Sequence, residues 1–333
     1  MQLQCGRDEG VKVFVTGGAG YVGSHCCKRF AEAGWEVVVY DNLSRGWREF
    51  VRWGPLVEGD ILDEERLTAA IREARPDAIA HFAAIAYVGE SVTEPDRYYR
   101  NNSTGALNVL DAMRKTGVEK ILFSSTCATY GTPQKTPIDE THPQAPINPY
   151  GWSKLFVEKA LADYAHAFGM RYTSLRYFNA AGADPGGEIG ERHEPETHLI
   201  PLVIRGILDP DFTLSVLGDD FPTRDGTAVR DYVHVADLGE AHYAALKRLE
   251  GGGGSETFNL GTGVGTSVAE AVAAAERVTG RPVKRRIAQR RPGDPPELVA
   301  AAAKARDMLG WRPAHSGIDD IIRSAFDWHS RGG

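Results

Sequence analysis

No stretch of this chain approaches the ~18 consecutive apolar residues that a membrane-spanning helix needs, so a bilayer partner is not expected. A general basic footprint is missing too. The 38 lysines and arginines face 45 aspartates and glutamates, a formal net charge of −7, which argues against nucleic acid as a partner. Cysteine is scarce. Cys5, Cys26, Cys27 and Cys127 have no metal-ligand spacing, and the adjacent pair makes a poor disulfide framework. Residues 1–10 are polar and lack the apolar core of a secretory signal. These absences point to a reducing cytoplasm. No internal repeat is visible.

What is present suits a globular chain with a sizeable core. Its 333 residues are 42% hydrophobic and 25% charged, enough for one large or two modest domains. Residues 11–15 read as a short buried strand running into Thr16-Gly17-Gly18-Ala19-Gly20-Tyr21-Val22-Gly23. A helix follows, with Val22, Cys26 and Phe30 on one side and Gly34 as its stop. Gly17, Gly20 and Gly23 permit a tight turn, close approach of backbone to a pyrophosphate, and packing of helix on strand. Placed between strand and helix, the loop predicts dinucleotide binding rather than an idle turn.

The second strand, 36–40, ends at Asp41, where an acid meets a ribose diol and repels a 2′-phosphate. That favours NAD, although Arg45 and Arg48 nearby keep an NADP reading open and Asp41-Asn42 also suits a turn. Further strands are expected at 56–57, 78–84, 120–123 and 171–178, with helices at 64–74 and 98–116 and one beginning at Tyr150. Ala83 and Ala84 allow close approach to a cofactor or serve packing. Asn101 is a buried structural contact or a cofactor neighbour. Alternating strand and helix predicts an α/β, Rossmann-type, doubly wound parallel sheet.

The pattern changes near residue 180, where we expect the main domain boundary, with a segment near 228–250 returning to the first domain. Beyond it lie a turn-rich excursion at 209–225, a strand at 230–235 leading into a helix to about Leu249, a strand at 257–260, a helix at 268–279, and a helix start at 300–303. Arg285, Arg286, Arg290 and Arg291 form either a solvated face or a pyrophosphate clamp.

The chemistry gathers around Tyr150-Gly151-Trp152-Ser153-Lys154. On a helix, Tyr150 and Lys154 share a face, and an ammonium beside a phenol favours the phenolate, a usable general base. Upstream, Ser124-Ser125-Thr126 sits at a strand's carboxyl end, where ligands collect in open α/β sheets.

These pieces occur within TGGAGYVGSH, YDNLSRG, VGESV, FSSTCATYG, PYGWSK, LRYFNAAGADP, THLIP, DGTAVRDYVHV, LGTGVG and RRPGDPP. In combination they resemble the extended short-chain dehydrogenase/reductase family, and within it the branch that inverts nucleotide sugars at C4, over nearly the whole chain. The resemblance implies tightly bound NAD, a UDP-sugar substrate of the glucose/galactose pair, a transient 4-keto sugar, a role in galactose metabolism, and a homodimer. It implies that residues 181–333 form a smaller α/β domain for the nucleotide sugar. Tyr150 becomes the base, Lys154 its partner and Thr126 the hydroxyl partner. Implied cofactor positions are Gly17, Gly20, Tyr21, Val22, Asp41, Asn42, Leu43, Ser44, Asp60, Ile61, Phe82, Ala83, Ala84, Asn101 and Ser124, with Tyr150 and Lys154 beside them and Phe178 closing the pocket. Implied nucleotide-sugar positions, besides Thr126 and Tyr150, are Asn179, His198, Leu199, Val216, Leu217, Arg230, Arg291, Asp294 and Leu298.

The chain departs from its relatives' pattern at Ala86, where many carry lysine, at Leu217, where an aromatic is common, and at His198, where some carry asparagine. Leu298, smaller than tyrosine, leaves room for an N-acetyl group, and Ala301 stands where aspartate is common. A 4,6-dehydratase would need an acid beside Thr126, where Cys127 and Ala128 stand. The same residues would also serve a net dehydrogenase, a 4-epimerase of UDP-N-acetylglucosamine, UDP-xylose/arabinose or UDP-glucuronate, or a non-catalytic dinucleotide binder.

Overall fold

The computed structural model describes residues 10–291 and 294–333. Its largest sheet has seven strands, in the order Glu256–Leu260, Arg171–Tyr177, Lys120–Thr126, Ala78–His81, Lys12–Thr16, Glu36–Asp41 and Leu56–Glu58. The four pairs from Lys120–Thr126 across to Leu56–Glu58 are parallel. Lys12–Thr16 lies inside the sheet, and its Val13, Phe14 and Val15 are wholly buried. A strand covered on both faces reads as an unbroken apolar run, which is why its period-2 alternation is absent from the sequence. This is the expected Rossmann-type α/β architecture.

The chain forms two compact units. The first runs to Ser125 and includes 148–175 and 239–258; the second comprises 126–147, 176–238 and 259–333. In the first, helices Glu64–Ala74, Gly105–Thr116 and Pro149–Phe168 lay Leu67, Ile71, Leu110, Met113, Val157 and Leu161 against Phe14, Tyr40, Ile79 and Phe123 of the sheet. Each such side chain, once buried, stabilises the fold by about 1.5–3 kcal/mol. In the second, helices Leu199–Leu208, Val268–Thr279 and Ile318–Ser330 share a core that includes Ile200, Val203, Ile204, Val272, Ile321 and Ile322. Among the described residues no helix is long and apolar enough to cross a membrane.

Several elements differ from expectation. The fourth strand stops at His81, so Phe82, Ala83 and Ala84 lie beyond it. There the N–H groups of Phe82 and Ala83 both donate to the Thr16 carbonyl and turn the chain off the ladder. The anticipated helix from 98 to 116 is α-helical only over Gly105–Thr116; Tyr99–Thr104 is π-helical, a form frequent at functional sites. The supposed excursion at 209–225 contains the strand Leu214–Leu217, paired with Arg285–Ala288. The expected strand at 230–235 divides into Val229–Arg230 and Tyr232–His234, which join different sheets. Asp231, fully buried between them, explains the break. Its carboxylate accepts the N–H groups of Thr262, Gly263 and Ala300. Ala300 is thereby held in a bridge to Ile138, and the helix expected there starts only at Ala303.

The buried asparagine is Asn102 rather than Asn101. Its amide accepts from the Ile85 N–H at 2.8 Å and donates to the Ile85 carbonyl at 2.9 Å and to Ser153 Oγ at 3.1 Å. This one side chain ties the loop after the fourth strand to the helix that carries Tyr150. Asn102→Ala strands the buried polar groups of Ile85, at about 1–3 kcal/mol each. A drop of that size in denaturant-unfolding stability, with the slope unchanged, is the expected result.

Candidate active site

The first unit supplies an anion cradle. Gly17 has φ +76°, and a Cβ there would lie 2.4 Å from the Ala83 nitrogen. A Cβ on Gly23 would lie 2.2 Å from the Gly17 oxygen. These two glycines are therefore required by the protein's own packing. Gly20 is different: its nearest neighbour is the Gly17 oxygen at 3.4 Å, so its missing side chain leaves the loop's outer side open to approach. Tyr21–Glu32 begins directly after Gly20, with no side-chain cap and no acid in its first turn. A bare helix N-terminus next to an open glycine is what a diphosphate needs.

Asp41 is buried at the end of the second strand. Burial raises its pKa, opposed by hydrogen bonds from the Leu43 and Ala19 N–H groups at 2.8 and 3.0 Å. Those bonds fix both carboxylate oxygens while leaving lone pairs for a ribose diol. Leu43 holds a left-handed φ of 57°, and the Ser44 N–H donates to Asn42 Oδ1. Asn42 also donates to Asp60 at 2.9 Å. Ile61 is buried against the core, and its carbonyl accepts from Asn108 at 2.9 Å. Arg45 pairs with Glu90 at 3.0 Å and lies over the Tyr87 ring, and Arg48 pairs with Glu58. Both arginines that kept a 2′-phosphate reading open are thus engaged elsewhere.

Tyr150 and Lys154 stand on the Pro149–Phe168 helix, which Asn148 caps through the Gly151 N–H at 2.8 Å. Tyr150 is nearly buried and sits edge-on to Tyr98, with centroids 6.5 Å apart. Lys154 is buried; its Nζ donates to the Ser124 carbonyl at 2.8 Å and lies 4.9 Å over the Phe123 ring. Burial pulls its pKa down to about 7, and the charge of Glu158 works in the opposite direction. Glu158 in turn accepts from Ser125 Oγ at 2.5 Å. Behind them His81, bonded to Thr16 Oγ1 at 2.7 Å, is pushed down to about 3 by burial and by Lys154, and so stays neutral. Asn101 donates to Asn102 at 2.9 Å.

Thr126 closes the strand that carries Ser124, and its Oγ1 accepts the Ala128 N–H. In the second unit Arg230 and Asp294 form an ion pair at 2.5 Å, and Arg230 is in register with Leu298. Leu298 packs with Phe178 and Cys127. The Asn179 N–H is spent on the Asp231 carbonyl. His198 stands at the N-cap position of the Leu199–Leu208 helix, while Arg291 is exposed. The Val216 side chain packs in the second unit's core, and the neighbouring Leu217 is half-buried.

Comparison with known proteins shows the family. Residues 13–261 match the model of the NAD dependent epimerase/dehydratase family. The chain belongs to that family. A UDP-glucose 4-epimerase of Rhizobium leguminosarum bv. trifolii is 53% identical over 97% of this chain and 98% of its own. The crystal structure of UDP-glucose 4-epimerase from Brucella ovis in complex with NAD is 52% identical, with a TM-score of 0.93 over 95% of this chain and 98% of that one. UDP-glucose-4-epimerase from Stenotrophomonas maltophila, solved with NAD and formylated UDP-arabinopyranose, is 39% identical, with a TM-score of 0.93 over 97% and 100% of the two chains. NAD is the cofactor of this family member, and the open glycine, the uncapped helix and Asp41 fit it.

Sequence reasoning overlooked three residues of the site. Glu158 carried a signal, since it lies four positions after Lys154 on the same helix face. Asn102 and His81 carried none, because their roles depend on partners 17 and 65 positions away. Glu158→Gln removes the charge that supports the Lys154 ammonium. Lys154 should therefore lose its proton at lower pH in that variant, as read by a heteronuclear NMR titration of its side-chain nitrogen.

Proposed function

We propose that this enzyme interconverts UDP-glucose and UDP-galactose by reversible inversion at the sugar C4, and so acts in galactose metabolism. The observation that carries the reading is the buried Lys154, pinned to the Ser124 carbonyl on the same helix face as Tyr150. An ammonium kept there, out of water, favours removal of the phenol's proton. Tyr150 takes the proton of the C4 hydroxyl and later returns it to the oxygen. Bound NAD accepts the C4 hydride and gives it back to the other face of the 4-keto sugar. Thr126 holds the C4 oxygen through its hydroxyl. His81, neutral at working pH, adds no competing positive charge beside Lys154. Net redox change is zero, which suits a cofactor that stays bound.

The nucleotide half of the substrate is assigned to the second unit, with Arg230, held by Asp294, as its cationic anchor. Leu298, beside Phe178 and Cys127, makes a low apolar wall rather than a hydrogen-bonding one, so an N-acetyl group is not rejected there by bulk. Cys127 also speaks against elimination chemistry. Burial pushes its thiol up to about 12, and it offers no acid where a dehydratase needs one.

We further propose a homodimer. Tyr99, Trp152 and Phe156 are each between 43 and 48% exposed, and with Asp96 and Arg100 they line an open groove of the first unit. Large aromatics clustered on a surface mark an interaction face. Cytoplasmic placement fits the free, buried thiols of Cys26, Cys27 and Cys127.

Tyr150→Phe should retain NAD and lose about three or more orders of magnitude in turnover. Near-normal epimerisation by that variant, in a panel of UDP-sugars assayed without added NAD, refutes the mechanism. Trp152→Glu combined with Phe156→Glu should halve the mass measured by light scattering.

A further inference from the structure

The second unit contains a cluster to which the C4 chemistry assigns no step, although His198 is also one of the implied nucleotide-sugar positions. Glu191, His193, Glu196 and His198 fall within eight residues, and one ligand atom from each lies within 4.8 Å of all the others. His193 Nδ1 is 3.4 Å from Glu191 Oε1 and 3.4 Å from Glu196 Oε2. His198 Nδ1 is 2.8 Å from Glu191 Oε1 and 3.3 Å from Glu196 Oε1. Zinc–nitrogen and zinc–oxygen bonds of about 2.0–2.2 Å give a tetrahedron with edges of about 3.3–3.6 Å. The two separations of His193 match that edge; His198 stands closer to Glu191, and its 3.3 Å neighbour is the other Glu196 oxygen.

The site is also built and held. The Glu191 side chain is only 3% exposed, and its Oε1 lies 2.8 Å from the His198 imidazole nitrogen and 3.4 Å from that of His193. A buried carboxylate oxygen facing two imidazoles, with a second carboxylate beside them, is a donor set for a cation. The Glu191 carbonyl accepts from Trp328 Nε1 at 3.2 Å, which anchors this ligand's backbone to the C-terminal helix. Glu196 Oε1 accepts the N–H groups of Thr197 and His198, both at 2.7 Å, which orients its carboxylate. Such outer bonds are what hold ligands in place around a metal. The His198 side chain is 40% exposed and provides a route of entry. Two carboxylates and two neutral imidazoles carry a charge of −2, which one divalent ion cancels.

We propose that Glu191, His193, Glu196 and His198 form a structural site for a divalent first-row transition cation of the zinc class. The imidazole–carboxylate set selects such an ion over calcium or magnesium, which prefer all-oxygen ligands. All four positions of a tetrahedron are filled by protein, so the ion is a clip and not a catalyst. It fixes the loop that leads into Leu199–Leu208.

The test uses full-length, tag-free protein with its NAD retained, stripped of metal by a chelating resin. Wild type should then bind one Zn2+ per chain in competition with a chromophoric chelator. Its Co2+ form should show the intense visible absorption of a tetrahedral centre. His193→Ala and Glu191→Gln, each checked for retained NAD and native circular dichroism, should weaken Zn2+ by more than the 10–100-fold typical of outer-shell changes. A pale, octahedral Co2+ spectrum, less than stoichiometric Zn2+ in wild type, or unchanged affinity in a folded variant overturns the proposal and leaves an ion-pair latch. None of these readouts depends on epimerase activity.

Discussion

The first unit is organised around one buried positive charge. Taking an ammonium out of water is costly, and the protein offsets this with the Ser124 carbonyl, the Phe123 ring face and the nearby carboxylate of Glu158. The offset is partial, since burial still brings Lys154 down to about 7. Lys154 stands on the same helix as Tyr150, four positions on. It also loses its proton more readily than a surface lysine. The strand end that supplies Ser124, the helix that supplies Lys154 and the asparagine that ties in Ser153 all serve that placement.

Cofactor recognition depends on space more than on contact. The three glycines share a spacing but not a task. Gly17 and Gly23 answer to the chain's own backbone, and Gly20 to what approaches from outside. The preference for NAD rests on a similar division. Asp41 has both oxygens already oriented by backbone N–H groups, while the two nearby arginines pair with Glu90 and Glu58.

Much of this was legible in the sequence. The buried first strand, the glycine loop and Tyr150 with Lys154 each express a local period or a short spacing, which a linear reading captures. What escaped depended on distant partners. Asp231 breaks a strand because its carboxylate gathers N–H groups from residues 262, 263 and 300. Leu214–Leu217 was hidden among turn residues because its partner, Arg285–Ala288, lies far along the chain and carries two exposed arginines in place of an apolar run. Val216 illustrates a separate limit. Family position suggested a ligand contact, whereas strand alternation sends its side chain into the core.

Cys26 and Cys27 sit on the helix that opens at the phosphate cradle, and Cys127 directly follows Thr126. All three are free, buried, and held far above an ordinary thiol's ionisation range, chiefly by loss of solvent. Oxidants and alkylating agents attack thiolates, so these sulfurs behave as small apolar fillers. Sulfur chemistry therefore gives peroxide or glutathione no ready handle at these three positions, although two lie on the helix after the glycine loop and one directly follows Thr126.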